Sequence, residues 1–193
     1  MARKHKMLIP LEKNIEHFAG KAVTQEVMDG IEDITEKTDK KKVASWVKNA
    51  MEKLDASVDE KTRNQIMENC GYNCAEVNKR MIERAKARRK KHKSIDEFLE
   101  AEERKPMKGT RLVREANVLY QFYTPQTFTR PMRCYCALLR GLPAEETITA
   151  TYCHCSKGFV QKFWQEVLEK PVTVELVHSA ISGAAECKFK IHL

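Results

Sequence analysis

The first half of the chain repeats apolar residues at intervals of three and four positions, which is the spacing of one face of an α-helix. The clearest stripe runs from Val43 to Leu54 and predicts a helix that packs against a core. Asp59 begins a further predicted helix, and Ser94 with Glu97 forms a capping box for a short one. We expect the helix from Asp59 to stop at Gly71, because glycine readily adopts the left-handed conformation that ends many helices.

The pattern changes after Gly109, where short β-branched and aromatic runs replace the helical stripes. Strands are predicted over 117–123, 133–139 and 172–178 and at the end of the chain from Cys187, with the last two paired as a hairpin. Pro125 and Pro131 bracket a loop, and one helix runs from Ser156 to about Glu169. The fold class is therefore α+β: an N-terminal helical region, residues 1–105, packs on a C-terminal antiparallel sheet with one long helix, residues 106–193, in one compact unit.

Length and charge narrow the function classes. The chain has 193 residues, no apolar run long enough to span a membrane, and no signal-peptide core at its start, so we expect a cytoplasmic protein without a membrane partner. The net charge is +8, and residues 79–93 alone carry nine Lys or Arg against one Glu. A solvated helix face and a nucleic-acid patch both fit this run. Few aromatic residues interleave with the charges, which makes a nucleic-acid partner the less favoured interpretation.

Six of the seven cysteines come in close pairs, which space-filling thiols have no reason to do. A reducing compartment disfavours a disulfide framework. Two interpretations of the cysteines are then open: metal binding or redox chemistry, and thiols that line a core or pocket. Cys153 and Cys155 directly precede a helix, where the dipole favours thiolate over thiol.

Two sets of donors match the four nitrogen or sulfur ligands of a tetrahedral zinc ion. The first set joins both halves of the chain, and we predict it as a zinc site: Cys70, Cys74, Cys153 and Cys155. The second set occupies inward-facing strand positions: Cys134, Cys136, His178 and Cys187. His178 also fits a hydrogen-bonded pocket histidine, and Cys187 also fits core packing beside Phe189.

An apolar pocket is predicted between the helix over 159–168 and the sheet that carries Val174 and Phe189. The residues expected to line it and bind a small molecule are Tyr120, Tyr123, Cys134, Cys136, His178 and Cys187. A nucleophilic thiol is the catalytic alternative, with Cys153 or Cys155 activated by His154 or His178.

The C-terminal motifs resemble a known family. Cys155, the Gly158-Phe159 helix start, the strand over 172–177 and the segment Gly183-Ala184-Ala185-Glu186-Cys187-Lys188-Phe189-Lys190-Ile191 are similar to the 4-vinyl reductase (hydrocarbon-binding) small-molecule-binding domain. They also resemble the bacterial group around L-2-amino-thiazoline-4-carboxylate hydrolase, whose largely uncharacterised relatives carry a break like Cys70-Gly71-Tyr72-Asn73-Cys74.

The resemblance implies an α+β fold related to haem-nitric-oxide-type ligand domains, with a pocket between sheet and helices. The pattern departs at Ser179, where those domains often carry a cysteine; His178 lies beside it.

Three functions follow from these patterns. The first is a small-molecule-binding or sensor protein with a cysteine-coordinated metal, zinc being the expected cofactor. The second is a hydrolase of the thiazoline-carboxylate type, and the third is a basic nucleic-acid-associated protein. A homodimer is left open.

Overall fold

The protein combines six α-helices with one four-stranded antiparallel sheet in the residues that a computed structural model describes, 4–124 and 133–193. The helices are α1 Ile9–Val27, α2 Lys40–Ser57, α3 Glu60–Val77, α4 Lys79–Arg89, α5 Ile95–Arg104 and α6 His154–Leu168. The strands are β1 Thr110–Glu115, β2 Val118–Tyr123, β3 Thr173–His178 and β4 Cys187–His192, in the order β1-β2-β4-β3. The predicted α+β class and the predicted hairpin of the last two strands are confirmed.

Side-chain caps start the helices where the sequence predicts them. The Asp59 carboxylate accepts a hydrogen bond from the Thr62 N–H at 2.9 Å. The Ser94 hydroxyl accepts one from the Glu97 N–H at 3.1 Å, and the Glu97 carboxylate in turn accepts the Lys93 N–H at 2.8 Å. Each bond satisfies a backbone donor that has no partner inside its own helix.

Helix α6 packs on the inner face of the sheet. Leu119, Phe189 and Ile191 are fully buried on that face, and the Trp164 indole of α6 donates a hydrogen bond of 2.7 Å to the Gln121 side chain on β2. The bond satisfies two polar groups that burial would otherwise leave unpaired. Buried residues from both halves of the chain join one hydrophobic core, while the boundary after residue 105 stays a prediction.

Helices α3 and α6 cross with their backbones in contact at two glycines. A Cβ atom added at Gly71 would lie 2.1 Å from the carbonyl oxygen of Cys155, and one added at Gly158 would lie 2.1 Å from that of Glu68. The predicted stop at Gly71 is therefore wrong. Helix α3 continues to Val77, because the missing side chain gives room to α6 instead of ending the helix.

The predicted strand over 133–139 is also wrong. This segment contains bends and one 3₁₀ turn, Ala137–Leu139. Its first residue, Arg133, donates to carbonyl oxygens of Pro143, Ala144 and Glu146, and also to those of Ala180 and Ile181. These contacts hold the start of the segment against loops, where it cannot join the sheet.

Two further sequence predictions concern a loop and membrane-spanning helices. The loop bracketed by Pro125 and Pro131 lies outside the described residues. Within residues 4–124 and 133–193, no helix combines the length and the apolar character needed to cross a membrane.

Candidate functional site

The α3–α6 crossing brings three thiols together. Cys70 and Cys74 lie one turn apart on α3, on either side of the contact made by Gly71, and Cys155 lies on the facing turn of α6. The Asn14 side-chain amide donates a hydrogen bond of 3.3 Å to the Cys70 sulfur. This hydrogen bond ties α1 to the crossing of α3 and α6.

Two more thiols reach the same region from the segment after residue 133. The Tyr152 hydroxyl donates a hydrogen bond of 3.0 Å to the Cys136 sulfur, and the Cys136 N–H donates one of 3.4 Å to the Cys134 sulfur. The Tyr123 ring lies on the inner sheet face, with its centroid 5.0 Å from that of Phe189. We call the following residues the thiol–tyrosine cluster: Cys70, Cys74, Cys134, Cys136, Cys155, Tyr123 and Tyr152.

The cluster thiols with altered acidity are held in the protonated form. Burial raises the pKa of Cys70 to about 11 and that of Cys134 to about 12, and it raises the pKa of Cys155 well above its usual value. Nearby thiols raise the pKa of Cys155 further, because a charge there would be repelled by charges on Cys70 and Cys74. At neutral pH these side chains are therefore uncharged thiols.

These same thiols keep part of their surface accessible. Cys70, Cys134 and Cys155 are half-buried, not closed off, although desolvation dominates their pKa values. These three thiols are therefore largely surrounded by protein while part of each side chain is still accessible.

The two remaining cysteines form a buried pair that borders the cluster at Cys134 and Tyr123. The Cys153 sulfur lies 2.9 Å from the Ser179 hydroxyl oxygen, and the Ala180 N–H donates a hydrogen bond of 3.3 Å to the Cys187 sulfur. Both cysteines are buried, with exposed fractions of 2% and 6%. Cys153 thus lies with Cys187, on the sheet side of α6.

The structure divides the predicted ligand-binding residues between two faces of the sheet. Tyr123, Cys134 and Cys136 belong to the cluster, and Cys187 is the β4 partner of Tyr123. Tyr120 lies on the outer face, with the Lys188 ammonium 4.3 Å from its ring centroid, so its predicted place in the pocket is wrong. The reason is strand alternation, since residues three apart point to opposite faces.

His178 also leaves the predicted pocket. The register of β3 and β4 shifts between Leu176, which pairs with Phe189, and His178, which pairs with the outward-facing Lys188. This bulge places one extra residue in β3 and turns His178 to the exposed side. The second predicted zinc set therefore loses its histidine.

The first predicted zinc set does not assemble either. Cys70, Cys74 and Cys155 come together, but Cys153 contacts Ser179 and Cys187 instead. In the described ranges, no three His, Cys, Asp or Glu side chains form a group that could hold a metal ion. The donors as arranged do not fit tetrahedral zinc, and zinc binding stays a prediction.

The predicted cysteine–histidine pair has a different arrangement. The His154 ring lies 3.4 Å from the Glu68 carboxylate, and the Lys157 ammonium lies 2.6 Å from the same carboxylate. Burial by itself would raise the pKa of Glu68, but hydrogen bonds from His154 and Lys157 outweigh it and lower that pKa. His154 therefore lies in a polar network with Glu68 and Lys157 at the helix crossing, and hydrolysis by a nucleophilic thiol stays a prediction.

Some of the basic residues in the segment 79–93 form salt bridges within the fold. Arg88 forms a bidentate salt bridge with Glu102 at 2.8 and 3.1 Å, and Glu102 is only 8% exposed. Lys86 lies 3.6 Å from Glu166 on α6. Part of the positive charge of α4 is thus neutralised within the fold, which weakens the case for a continuous nucleic-acid patch.

Surface depressions occur away from the cluster. One lies beside α2 and is lined by Val27, Asp29, Trp46, Asn49, Ala50, Glu52 and Lys53. Another lies on the outer side of α3 and α6 and is lined by Tyr72, Asn73, Glu76, Gln161, Lys162 and Gln165. Neither includes a residue predicted to bind ligand or metal.

Comparison with known proteins identifies the family. A family model described as "Family of unknown function (DUF6144)" matches residues 2–193. The chain belongs to this family. No curated protein matches it. A solved structure described as "Modulating Heme Redox Potential Through Protein-Induced Porphyrin Distortion" is similar over 99% of this chain and 100% of that chain, at 12% identity and a TM-score of 0.44. A likeness this weak supports no argument about the ligand of this DUF6144 protein.

Several residues of the site escape prediction from sequence. Tyr152 directly precedes the predicted cysteine pair, and this proximity in sequence is the signal that could have indicated it. Asn14 and Ser179 carry no such signal, because their partners Cys70 and Cys153 are distant in the chain.

Proposed function

We propose that the protein is a small-molecule-binding or sensor protein that takes an uncharged, largely apolar ligand at the thiol–tyrosine cluster. The observation that carries this proposal is the combination of strong desolvation and remaining accessibility at Cys70, Cys134 and Cys155. We infer that these residues line an interior space that a ligand can fill.

The chemistry of the lining favours an apolar ligand. A protonated thiol behaves as a small hydrophobic group with a weak donor, and Tyr152 adds a hydroxyl that is already directed at Cys136. An anion or cation would lose its hydration and find no opposite charge on these neutral thiols. The cluster therefore discriminates by shape and polarity, with few polar groups to orient the ligand.

We place the protein in the cytoplasm, where the paired cysteines of its sequence would persist in reduced form. The sequence resemblance to small-molecule-binding domains supports the proposed ligand binding. Zinc would require the cluster thiols to lose protons and Cys153 to move, so we treat a metal-dependent sensor as the alternative that elemental analysis decides.

Calorimetric titration with toluene tests the proposal, and benzoate serves as the charged probe of similar shape. We expect toluene to bind and benzoate not to bind. Cys74→Leu adds volume inside the cluster and should weaken toluene binding by about tenfold. Val77→Leu is the matched control, because this α3 residue is 85% exposed.

Two outcomes would reject the apolar site. Toluene affinity that is unchanged in a folded Cys74→Leu protein would place the binding elsewhere. Stoichiometric zinc in the purified protein, lost on Cys155→Ser, would replace the apolar ligand with a metal centre.

A further inference from the structure

Cys153 and Cys187 face each other across the junction of α6 and the sheet. Cys153 lies immediately before α6, and Cys187 is the first residue of β4. Their sulfurs are anchored by two consecutive residues, Ser179 at 2.9 Å and Ala180 at 3.3 Å. Because one short turn holds both sulfurs, the pair is set by the fold and not by flexible side chains.

The two sulfurs play different roles. The neighbouring Cys153 side chain lowers the pKa of Cys187 to about 7, and the hydrogen bond from the Ala180 N–H adds to this effect. The same contact with Cys187, together with burial, raises the pKa of Cys153. The backbone N–H at 3.3 Å favours negative charge on Cys187, while the Cys153 sulfur lies 2.9 Å from the Ser179 hydroxyl in the same turn, and two sulfurs held in this way have the arrangement of a nucleophilic and a resolving cysteine.

We propose that Cys153 and Cys187 form an oxidation site for hydroperoxides, with Cys187 as the reacting sulfur and Cys153 as the resolving one. The Cys187 thiolate attacks the terminal oxygen of the hydroperoxide, the O–O bond breaks, and a sulfenic acid forms while the alkoxide or hydroxide takes a proton. The Cys153 sulfur then bonds to Cys187, its proton leaves with the sulfenic oxygen as water, and a disulfide remains. In total, two thiols lose two electrons and two protons to the peroxide.

The product would connect two layers of the fold. A Cys153–Cys187 disulfide would tie the start of α6 to β4, next to Tyr123, which is the β2 partner of Cys187. Oxidation needs no ligand at the thiol–tyrosine cluster, so it can be tested whether or not the proposed ligand exists. Hydrogen peroxide is small enough to be a suitable probe for a buried pair.

The test is peptide mapping by mass spectrometry under non-reducing conditions after treatment of the reduced protein with one equivalent of hydrogen peroxide. We expect one intramolecular disulfide, between Cys153 and Cys187. Cys153→Ser should instead leave a sulfenic acid on Cys187 that dimedone traps. Cys187→Ser should slow oxidation of Cys153 by at least about tenfold. Val77→Ser, at an α3 position that is 85% exposed and outside both sites, is the control and should form the same disulfide as the unaltered protein.

The pH profile separates this chemistry from slow, unspecific oxidation. The rate of disulfide formation should rise as the pH is raised through about 7, where Cys187 becomes ionised. A first disulfide between other cysteines, or no reaction of the unaltered protein with peroxide, would overturn the proposal. The map of the unaltered protein is decisive even if a variant does not fold.

Discussion

The crossing of α3 and α6 offers a quantitative test of the fold that holds the thiols together. In Gly71→Ala, the new Cβ would lie 2.1 Å from the Cys155 carbonyl oxygen and 2.6 Å from the Phe159 nitrogen. Non-bonded heavy atoms prefer about 3.5 Å, so the helices have to separate by about 1 Å. Both obstacles are backbone atoms, which cannot turn away as a flexible side chain can.

Two effects on the free energy of unfolding oppose each other in this variant. Alanine has a higher helix propensity than glycine and by itself stabilises a helix interior by about 1 kcal/mol. Overpacking costs about 1–3 kcal/mol, and two backbone clashes at one atom favour the upper end of that range. We therefore expect a net loss of about 2 kcal/mol, the difference between these two effects.

Urea unfolding followed by circular dichroism measures the loss as a lower midpoint at unchanged slope. Val77→Ala is the control on the same helix, and its exposed position should leave stability within about 0.5 kcal/mol. A Gly71→Ala protein as stable as the unaltered one would refute the close crossing, because helix propensity would then act without any steric cost.

Two further predictions concern charged residues. Arg88→Gln should destabilise the protein by about 1–3 kcal/mol, because it leaves the buried Glu102 carboxylate without its partner. Arg84→Gln, on the exposed side of α4, should change stability by less than about 0.5 kcal/mol. Urea unfolding of both variants measures the difference, and equal losses of stability would contradict the prediction. The pKa of Glu68 is lowered in the folded state, so its contribution to stability is present above its ordinary value of 4.5 and disappears as the pH falls through the folded-state value. Glu68→Gln should therefore flatten the acid-side fall of the melting temperature, and an unchanged pH profile would show that its contacts with His154 do not persist in solution.

The sequence pattern predicted correctly those helices and strands that are determined by residues close together in the chain. The α2 stripe from Val43 to Leu54, the cap at Asp59 and the alternation in the last strand were sufficient, because each depends on neighbours in sequence. Alternation was also sufficient to exclude Tyr120 once Tyr123 is placed inside, since three positions separate them.

The rest depended on contacts between distant segments. Gly71 has the same local appearance whether a helix stops there or passes another helix closely, and only α6 decides between them. The bulge that turns His178 outward depends on how β3 pairs with β4, which alternation does not encode. Whether the Cys153 side chain lies with Cys155 or with Cys187 depends on the turn at Ser179, which is 26 residues away in sequence.

A crystal of the reduced protein pressurised with xenon tests the central claim most directly, since xenon enters apolar cavities in proteins. We predict a xenon atom at the thiol–tyrosine cluster, in contact with the sulfurs of Cys74, Cys136 and Cys155. Sulfur atoms packed directly against one another, with no xenon between them and no bound molecule, would contradict the account.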